Sequence, residues 1–554
     1  MIISSGRSRI RSTVVVLAAA ALAVGGAVSV VAESTTAEAA AGDIVLAAST
    51  VEDEGADCPV SPPGSLPTGS RLPDPFRKFD GTRITSKADW RCRRAETREL
   101  AERYVYGDKP AKPATVTGTV SSSNITVNVS QNGRSASFSA GVQLPSGTGP
   151  FPAVIVLGGF GADTATIRSA GAAVISYDPL AVGREGTPRN NKQGAFYSIY
   201  GNTSSTGLLM AWAWGVSRII DVIQQSGGNV LRMDVGVTGC SRYGKGAFTA
   251  GVFDQRVALT MPIESGSAGV PAFRAIAGES GAQPLSSAYG EQPWLGDAFS
   301  SYTGNPNGLP VDTHQMVGMV APRGLFIMEN PHVDWLASRS GSVAALGGAE
   351  IYKALGAGEN ISYWSDVQDG THCASRTEWR TPLQQNIQKF LLKTGNAAGV
   401  FRISSRKAGN LAEWRDWTTP TLADGPTTPP TTPPTSGPTT PPATPPTVAP
   451  TTTPPAGGAG CTASVTTNQW TGGFVATVRV TAGSSAVSGW TVALTLPAGS
   501  SVTNSWNVNR SGTSGAVQFS NVGYNGSIAA GQSTEFGFQG SGTGSGLSPT
   551  CTAR

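Results

Sequence analysis

Asp234-Val235-Gly236-Val237-Thr238-Gly239-Cys240-Ser241-Arg242-Tyr243-Gly244-Lys245-Gly246-Ala247 is the stretch from which this chain is best read. An apolar strand runs into Gly-x-Ser and then directly into a helix of small residues. Such a turn holds a serine hydroxyl at the edge of a sheet, with helix N-terminal N–H groups nearby to receive an oxyanion. The usual spacing is Gly-x-Ser-x-Gly. Here the second glycine comes one position late, at Gly244, and a plain strand–turn–helix packing corner would carry the same letters.

Outward from this turn, from about residue 110 to 395, apolar runs alternate with helical patterns. The expected strands are 153–157, 172–177, 235–238, 259–264, 324–329 and 361–364. The expected helices are 207–225, 243–254, 343–355 and 379–392. This alternation implies a mostly parallel sheet covered by helices on both faces, an α/β-hydrolase type of fold, with its chemistry at the C-terminal ends of strands.

A serine nucleophile needs a base, and the chain has 3 histidines. His372, in Asp369-Gly370-Thr371-His372-Cys373, falls after the last expected strand and before the last helix, where such a fold places its base. His314 reads as structural, and His332 as a loop residue or substrate contact. Glu264 ends the strand after the turn and is the favoured acid, able to orient the imidazole. Asp334, past a later strand, is the alternative. Cys240 neighbours Ser241 and Cys373 neighbours His372, so a bond between them would pin nucleophile to base. Cys58 would then bond to Cys92. This is one of 15 ways to pair 6 cysteines, and geometry must choose. The scattered histidines lack metal-ligand spacing, and no Gly-rich dinucleotide motif follows a first strand, so neither metal nor cofactor is expected. Leu157-Gly158-Gly159-Phe160-Gly161 reads as a loop over the site.

The rest of the chain has a different character. With 554 residues, two or more domains are expected. Arg7, Arg9 and Arg11 precede an apolar stretch, 14–32, and small residues at 37–41, which reads as a secretory leader over residues 1–41. A single membrane helix is the competing reading of that stretch. A net charge of +4 without a basic stripe argues against a nucleic-acid partner. Residues 42–424 hold the hydrolase-like domain. Residues 425–460 carry no charged or aromatic residue and 13 prolines, a linker that cannot bury a core.

Residues 461–554 contain three Arg, one Glu and neither Asp nor Lys, with short alternating runs at 474–480, 490–496, 516–519 and 534–538. An all-β sandwich is expected. Cys461 and Cys551 bracket it. A nearly uncharged surface suits sugars, which stack on aromatic rings. Trp470, Trp506 and Tyr524 sit in polar, turn-like surroundings, whereas Trp490 lies inside an apolar strand and is expected in the core.

This last module resembles family 2 carbohydrate-binding modules. The resemblance rests on Asn468-Gln469-Trp470, Gly489-Trp490-Thr491-Val492, Ser505-Trp506-Asn507, Asn525-Gly526-Ser527-Ile528, Phe536-Gly537-Phe538-Gln539-Gly540 and the terminal cysteines. It implies cellulose binding through a flat strip mapping to Trp470, Trp506 and Tyr524. The larger domain, from about Trp90 to Leu392, resembles carbohydrate esterase family 15, the glucuronoyl esterases. Here the carriers are Gly239-Cys240-Ser241-Arg242-Tyr243-Gly244-Lys245, Glu264-Ser265-Gly266, Phe196-Tyr197-Ser198-Ile199-Tyr200-Gly201, Ala211-Trp212-Ala213-Trp214-Gly215, Asp312-Thr313-His314, Ala321-Pro322-Arg323 and His372-Cys373. The late glycine is that family's own version of the turn.

The resemblance implies hydrolysis of esters between the (4-O-methyl-)glucuronic acid of glucuronoxylan and lignin alcohols. It implies Ser241 as nucleophile, His372 as base, Glu264 as acid and Arg242 at the oxyanion. Lys245, Gln283, Glu291 and Trp335 would hold the sugar. It also implies the pairings Cys58–Cys92 and Cys240–Cys373. A secreted monomer with no membrane partner is expected. Another serine esterase of cell-wall sugars, for acetyl or feruloyl groups, and a non-catalytic wall-binding protein are the competing readings.

Overall fold

Seven apolar residues in a row, Phe151–Leu157, form a strand buried on both faces. Ala153, Ile155 and Leu157 face one apolar core, with the helix Leu208–Gln225. Val154 and Val156 face the other, with Trp379 and Phe390. A two-sided core of this kind belongs to a parallel sheet between helical layers. The computed structural model describes residues 49, 51–66, 68–396, 398–424, 460–470, 472–506, 508–522 and 525–554. The expected leader, and the expected linker apart from Gly460, lie outside the described residues, as do Tyr524 and the side chains of Trp470 and Trp506. The chain divides into two compact units, residues 1–431 and 432–554.

In the first unit the strands are β1 (Thr115–Val120), β2 (Asn124–Gln131), β3 (Arg134–Gln143), β4 (Phe151–Leu157), β5 (Ala173–Tyr177), β6 (Leu231–Cys240), β7 (Val257–Ile263), β8 (Gly324–Met328), β9 (Ile361–Trp364) and β10 (Phe401–Arg402). They form one sheet in the order β1-β2-β3-β5-β4-β6-β7-β8-β9-β10. From β5 to β10 every neighbour is parallel. The crossovers include the helices Leu208–Gln225, Arg242–Phe253 and Ser338–Ala354, and Thr377–Ile387 follows β9. This is the α/β-hydrolase arrangement. The six expected strands correspond to β4–β9 and the four expected helices to these four, with ends shifted by a few residues. Sequence reading passed over the antiparallel extension β1–β3, although its signals are plain. Ile125, Val127 and Val129 alternate inward, and Asn132-Gly133, both at positive φ, make the hairpin turn between β2 and β3.

At the foot of the sheet a chain segment from far away in sequence closes a buried ionic cluster. The Glu52 carboxylate accepts from Lys109 Nζ at 2.6 Å, pairs with Arg218, and lies 3.5 Å from Arg256 Nη2. Burial alone would raise its pKa, but Lys109, Arg218 and Arg256 outweigh it and hold the carboxyl far below the ordinary range. Arg256 also engages Asp254 and Asp221. The cluster ties the N-terminal segment to the helix Leu208–Gln225 and to the turn that leads into β7.

The second unit has β11 (Cys461–Trp470), β12 (Gly473–Ala482), β13 (Trp490–Thr495), β14 (Ser501–Trp506), β15 (Asn509–Ser511), β16 (Ala516–Ser520), β17 (Ser533–Ser541) and β18 (Thr550–Ala553). Two four-stranded sheets, β11-β12-β17-β14 and β15-β16-β13-β18, supply the residues of one core around Phe474, Trp490, Phe519, Phe536 and Phe538. Trp490 is fully buried, stacks on Phe536, and donates from Nε1 to Asn525 O at 2.7 Å. Cys461 and Cys551 are bonded.

Glu52→Ala should destabilise the first unit by about 3–5 kcal/mol, because three buried cations would then lose a shared partner. Since the folded carboxyl is depressed, its stabilisation is present above the unfolded value of 4.5 and fades as pH falls below it. Thermal melting at pH 7 and pH 3.5 should therefore show a wide gap between wild type and variant that narrows in acid.

Candidate active site

Ser241 follows β6 directly, at φ 60°, ψ −126°, a conformation that costs a non-glycine residue on the order of 1–3 kcal/mol. The helix Arg242–Phe253 starts immediately after it, so the first-turn amides lie beside the serine. The late glycine has a steric reason. A Cβ at Gly244 would come within 2.5 Å of Ile263 O on the neighbouring β7. Glu264 (φ 45°), directly after β7, and Cys373 (φ 60°), in the loop after β9, are also non-glycine residues at positive φ.

These strained positions are cross-linked. Cys240 is bonded to Cys373. The Glu264 carboxylate is fully buried. Its Oε2 accepts from His372 Nδ1 at 2.6 Å and from Cys373 N at 2.9 Å. Its Oε1 lies 3.5 Å from both Asn330 Nδ2 and Arg376 Nη2. With Nδ1 donating to a carboxylate, the Nε2 of His372 is left to accept a proton. Cys240, Glu264, His372 and Cys373 bring four potential metal donors within 4.8 Å of one another, but both sulfurs are spent in the disulfide and offer no thiolate.

Ser241 and His372 open onto a cleft of about 570 Å³ that is also lined by Arg242, Lys245, Gln283, Glu291, Trp335 and Trp294. Lys245 is buried, and burial pushes its ammonium down to about 8 against the pull of Glu291 and Glu329. Its Nζ donates to Ser265 O at 2.5 Å and lies 5.1 Å from the Trp294 ring. Gln283 Nε2 donates to Glu291 Oε2 at 2.8 Å, and the backbone N–H of Gln283 donates to Trp335 O at 3.2 Å. Trp335 is 54% exposed at the cleft mouth, edge-on to His372. Glu329, at the end of β8, is fully buried, and burial together with the nearby Glu264 raises its pKa well above the usual carboxylate range.

The cleft thus gathers Ser241, His372, Arg242, Lys245, Gln283, Glu291 and Trp335, with Glu264 buried behind His372. Asp334 is instead exposed and paired with Lys407 at 3.1 Å, away from the imidazole's carboxylate. His314 is buried, its Nε2 against Pro73 O at 2.9 Å, and burial pushes it down to about 4. His332 bonds Val367 O at 2.9 Å. Cys58 is bonded to Cys92. Sequence reading gave no role to Glu185. Glu185 accepts from Arg242 Nη1 at 2.8 Å and from Trp294 Nε1 at 2.6 Å. Nothing in Gly183-Arg184-Glu185-Gly186 distinguishes this glutamate from a loop charge.

Known proteins place the chain in a family. A family model of fungal glucuronyl esterases matches residues 127–356. A 4-O-methyl-glucuronoyl methylesterase of Podospora anserina is 40% identical over 381 residues, covering 66% of this chain and 78% of that one. The chain belongs to the glucuronoyl esterase family. A second glucuronoyl methylesterase, from Hypocrea jecorina, is 37% identical over 376 residues, covering 67% of this chain and 80% of that protein. The glucuronoyl esterase catalytic domain from Hypocrea jecorina superposes with a TM-score of 0.61 at 36% identity, over 65% of this chain and 100% of that structure. A mutant glucuronoyl esterase from Sporotrichum thermophile, solved in complex with methyl 4-O-methyl-β-D-glucopyranuronate, gives a TM-score of 0.62 at 36% identity, over 66% and 100%. Residues 460–553 match a model of cellulose binding domains. Among the described residues no helix is long and apolar enough to cross a membrane.

The disulfide closes a loop of 133 residues between the nucleophile turn and the imidazole. Replacing both cysteines by serine should cost about 2–5 kcal/mol. It should also lower kcat on a small ester at temperatures where the fold persists, because His372 loses its tether. Denaturant unfolding and steady-state kinetics on the same preparation check both effects.

Proposed function

We propose that this glucuronoyl esterase family member is a secreted serine esterase. It hydrolyses the ester between (4-O-methyl-)glucuronic acid of glucuronoxylan and lignin alcohols while its C-terminal module holds it on cellulose. The observation that carries the reading is the Glu264–His372 hydrogen bond, set across a disulfide from Ser241, in a cleft lined by Lys245, Gln283, Glu291 and Trp335. The relatives' own names supply the uronate ester.

Ser241 Oγ attacks the ester carbonyl and passes its proton to His372 Nε2. Glu264, dry and already bonded to Nδ1, stabilises the imidazolium. The amides at the start of the helix Arg242–Phe253 and the Arg242 guanidinium take the charge that develops on the carbonyl oxygen. Collapse of the intermediate expels the alcohol, which receives its proton from His372, and leaves a uronoyl ester on Ser241. Water, deprotonated by His372, attacks that ester and releases the uronate. The scissile ester is neutral, so the pocket needs donors and acceptors rather than a concentration of positive charge. Lys245 and Gln283 donate to sugar hydroxyls, Glu291 accepts, and the Trp335 ring covers a sugar face.

Wild type should release glucuronic acid from benzyl glucuronate, and Ser241→Ala should lower kcat by about 10³-fold or more. Deacetylation of xylan without uronate release would instead point to an acetyl esterase. Binding to crystalline cellulose in a pull-down should be lost when Trp470 and Trp506 are both replaced by alanine, with turnover of benzyl glucuronate unchanged.

A further inference from the structure

The carboxylate of Glu185 joins two walls of the cleft. It comes from the loop after the short helix Pro179–Ala181, and its side chain is 11% exposed. One oxygen accepts from Arg242 Nη1 at 2.8 Å and the other from Trp294 Nε1 at 2.6 Å. The loop itself is fixed: Trp212 Nε1 donates to Gly183 O at 2.7 Å, Arg184 N to Gln193 O at 2.8 Å, and Gly186 N to Gln292 Oε1 at 2.7 Å. Arg242, by contrast, is 39% exposed on a long arm that ordering would otherwise cost entropy. Burial lowers the Arg242 pKa, and Glu185 more than offsets it, so the guanidinium stays charged. One guanidinium N–H on Glu185 leaves others for a ligand.

The reaction adds a second demand. A neutral ester enters the cleft and a carboxylate anion must leave it, past Arg242 and Lys245. A guanidinium with a fixed counter-charge attracts that anion less than a bare one. We propose that Glu185 is a positioning residue: it presets Arg242 and Trp294 against the cleft wall and weakens the hold of Arg242 on the anionic product. The inference rests on the esterase reading above.

The test uses the full chain, with benzyl glucuronate as substrate and free glucuronate as inhibitor. Glu185→Gln keeps the shape but cannot accept from both donors and carries no charge. It should lower kcat about tenfold while KM moves less than about twofold. Inhibition by glucuronate should tighten by roughly threefold or more. On an Arg242→Ala background the same change should leave product inhibition unaltered and cost much less in kcat, only the part that runs through Trp294. Glu185→Asp, which keeps the charge on a shorter arm, should retain wild-type product inhibition and an intermediate kcat, and it serves if the glutamine variant does not fold. Losses from Glu185→Gln that are equally large with and without Arg242 would overturn the proposal, as would unchanged kcat and inhibition. An inactive wild type would overturn the esterase reading itself.

Discussion

A carboxylate with no access to water must be satisfied by its neighbours, and Glu264 is such a carboxylate. Its two oxygens are met by an imidazole, a backbone amide, an asparagine amide and a guanidinium, drawn from the loops after β8 and β9. Each donor fixes one loop. The disulfide between Cys240 and Cys373 adds a covalent link from the same imidazole loop back to the nucleophile turn. The strained φ values of Ser241, Glu264 and Cys373 persist because these contacts over-determine them. Catalytic geometry at this end of the sheet is therefore a property of a closed ring of bonds rather than of any one loop.

The sheet ends do different work. At the C-terminal end charge is sparse and directed: a carboxylate on the imidazole, Glu329 behind it with its pKa pushed up by burial, and a lysine whose pKa burial pushes down. At the opposite end charge is dense and internally balanced around Glu52, Arg218, Asp221 and Arg256. Ion pairs at that end hold the segment around Glu52 against the sheet; those at the other end join loops around the cleft.

Much of this was legible in the sequence, for identifiable reasons. Strands β4 to β9 announce themselves as apolar runs, because a strand buried on both faces has no polar positions. The nucleophile turn was legible because it needs glycines where the helix presses on β7. Strands β1 to β3 were overlooked because one face is solvated, so their alternation of Ser, Thr and Asn with Val and Ile resembles loop composition. The choice of Glu264 over Asp334 was not settled by position along the chain, since each follows a strand. The imidazole contact distinguishes them. Glu185 was out of reach, because a loop glutamate declares its partners only in three dimensions, and Arg242 and Trp294 lie 57 and 109 residues away in the chain.

The Glu52 cluster has a consequence for how the chain is processed. The small residues at 37–41 lie upstream of Glu52, so a leader cut there leaves the plug of the cationic cluster intact with about ten residues to spare. A cut, or trimming by an exopeptidase, that proceeded past Glu52 would uncover Lys109, Arg218 and Arg256 together. The Glu52 cluster thus sets a limit on how far the chain could be shortened from that side without opening it.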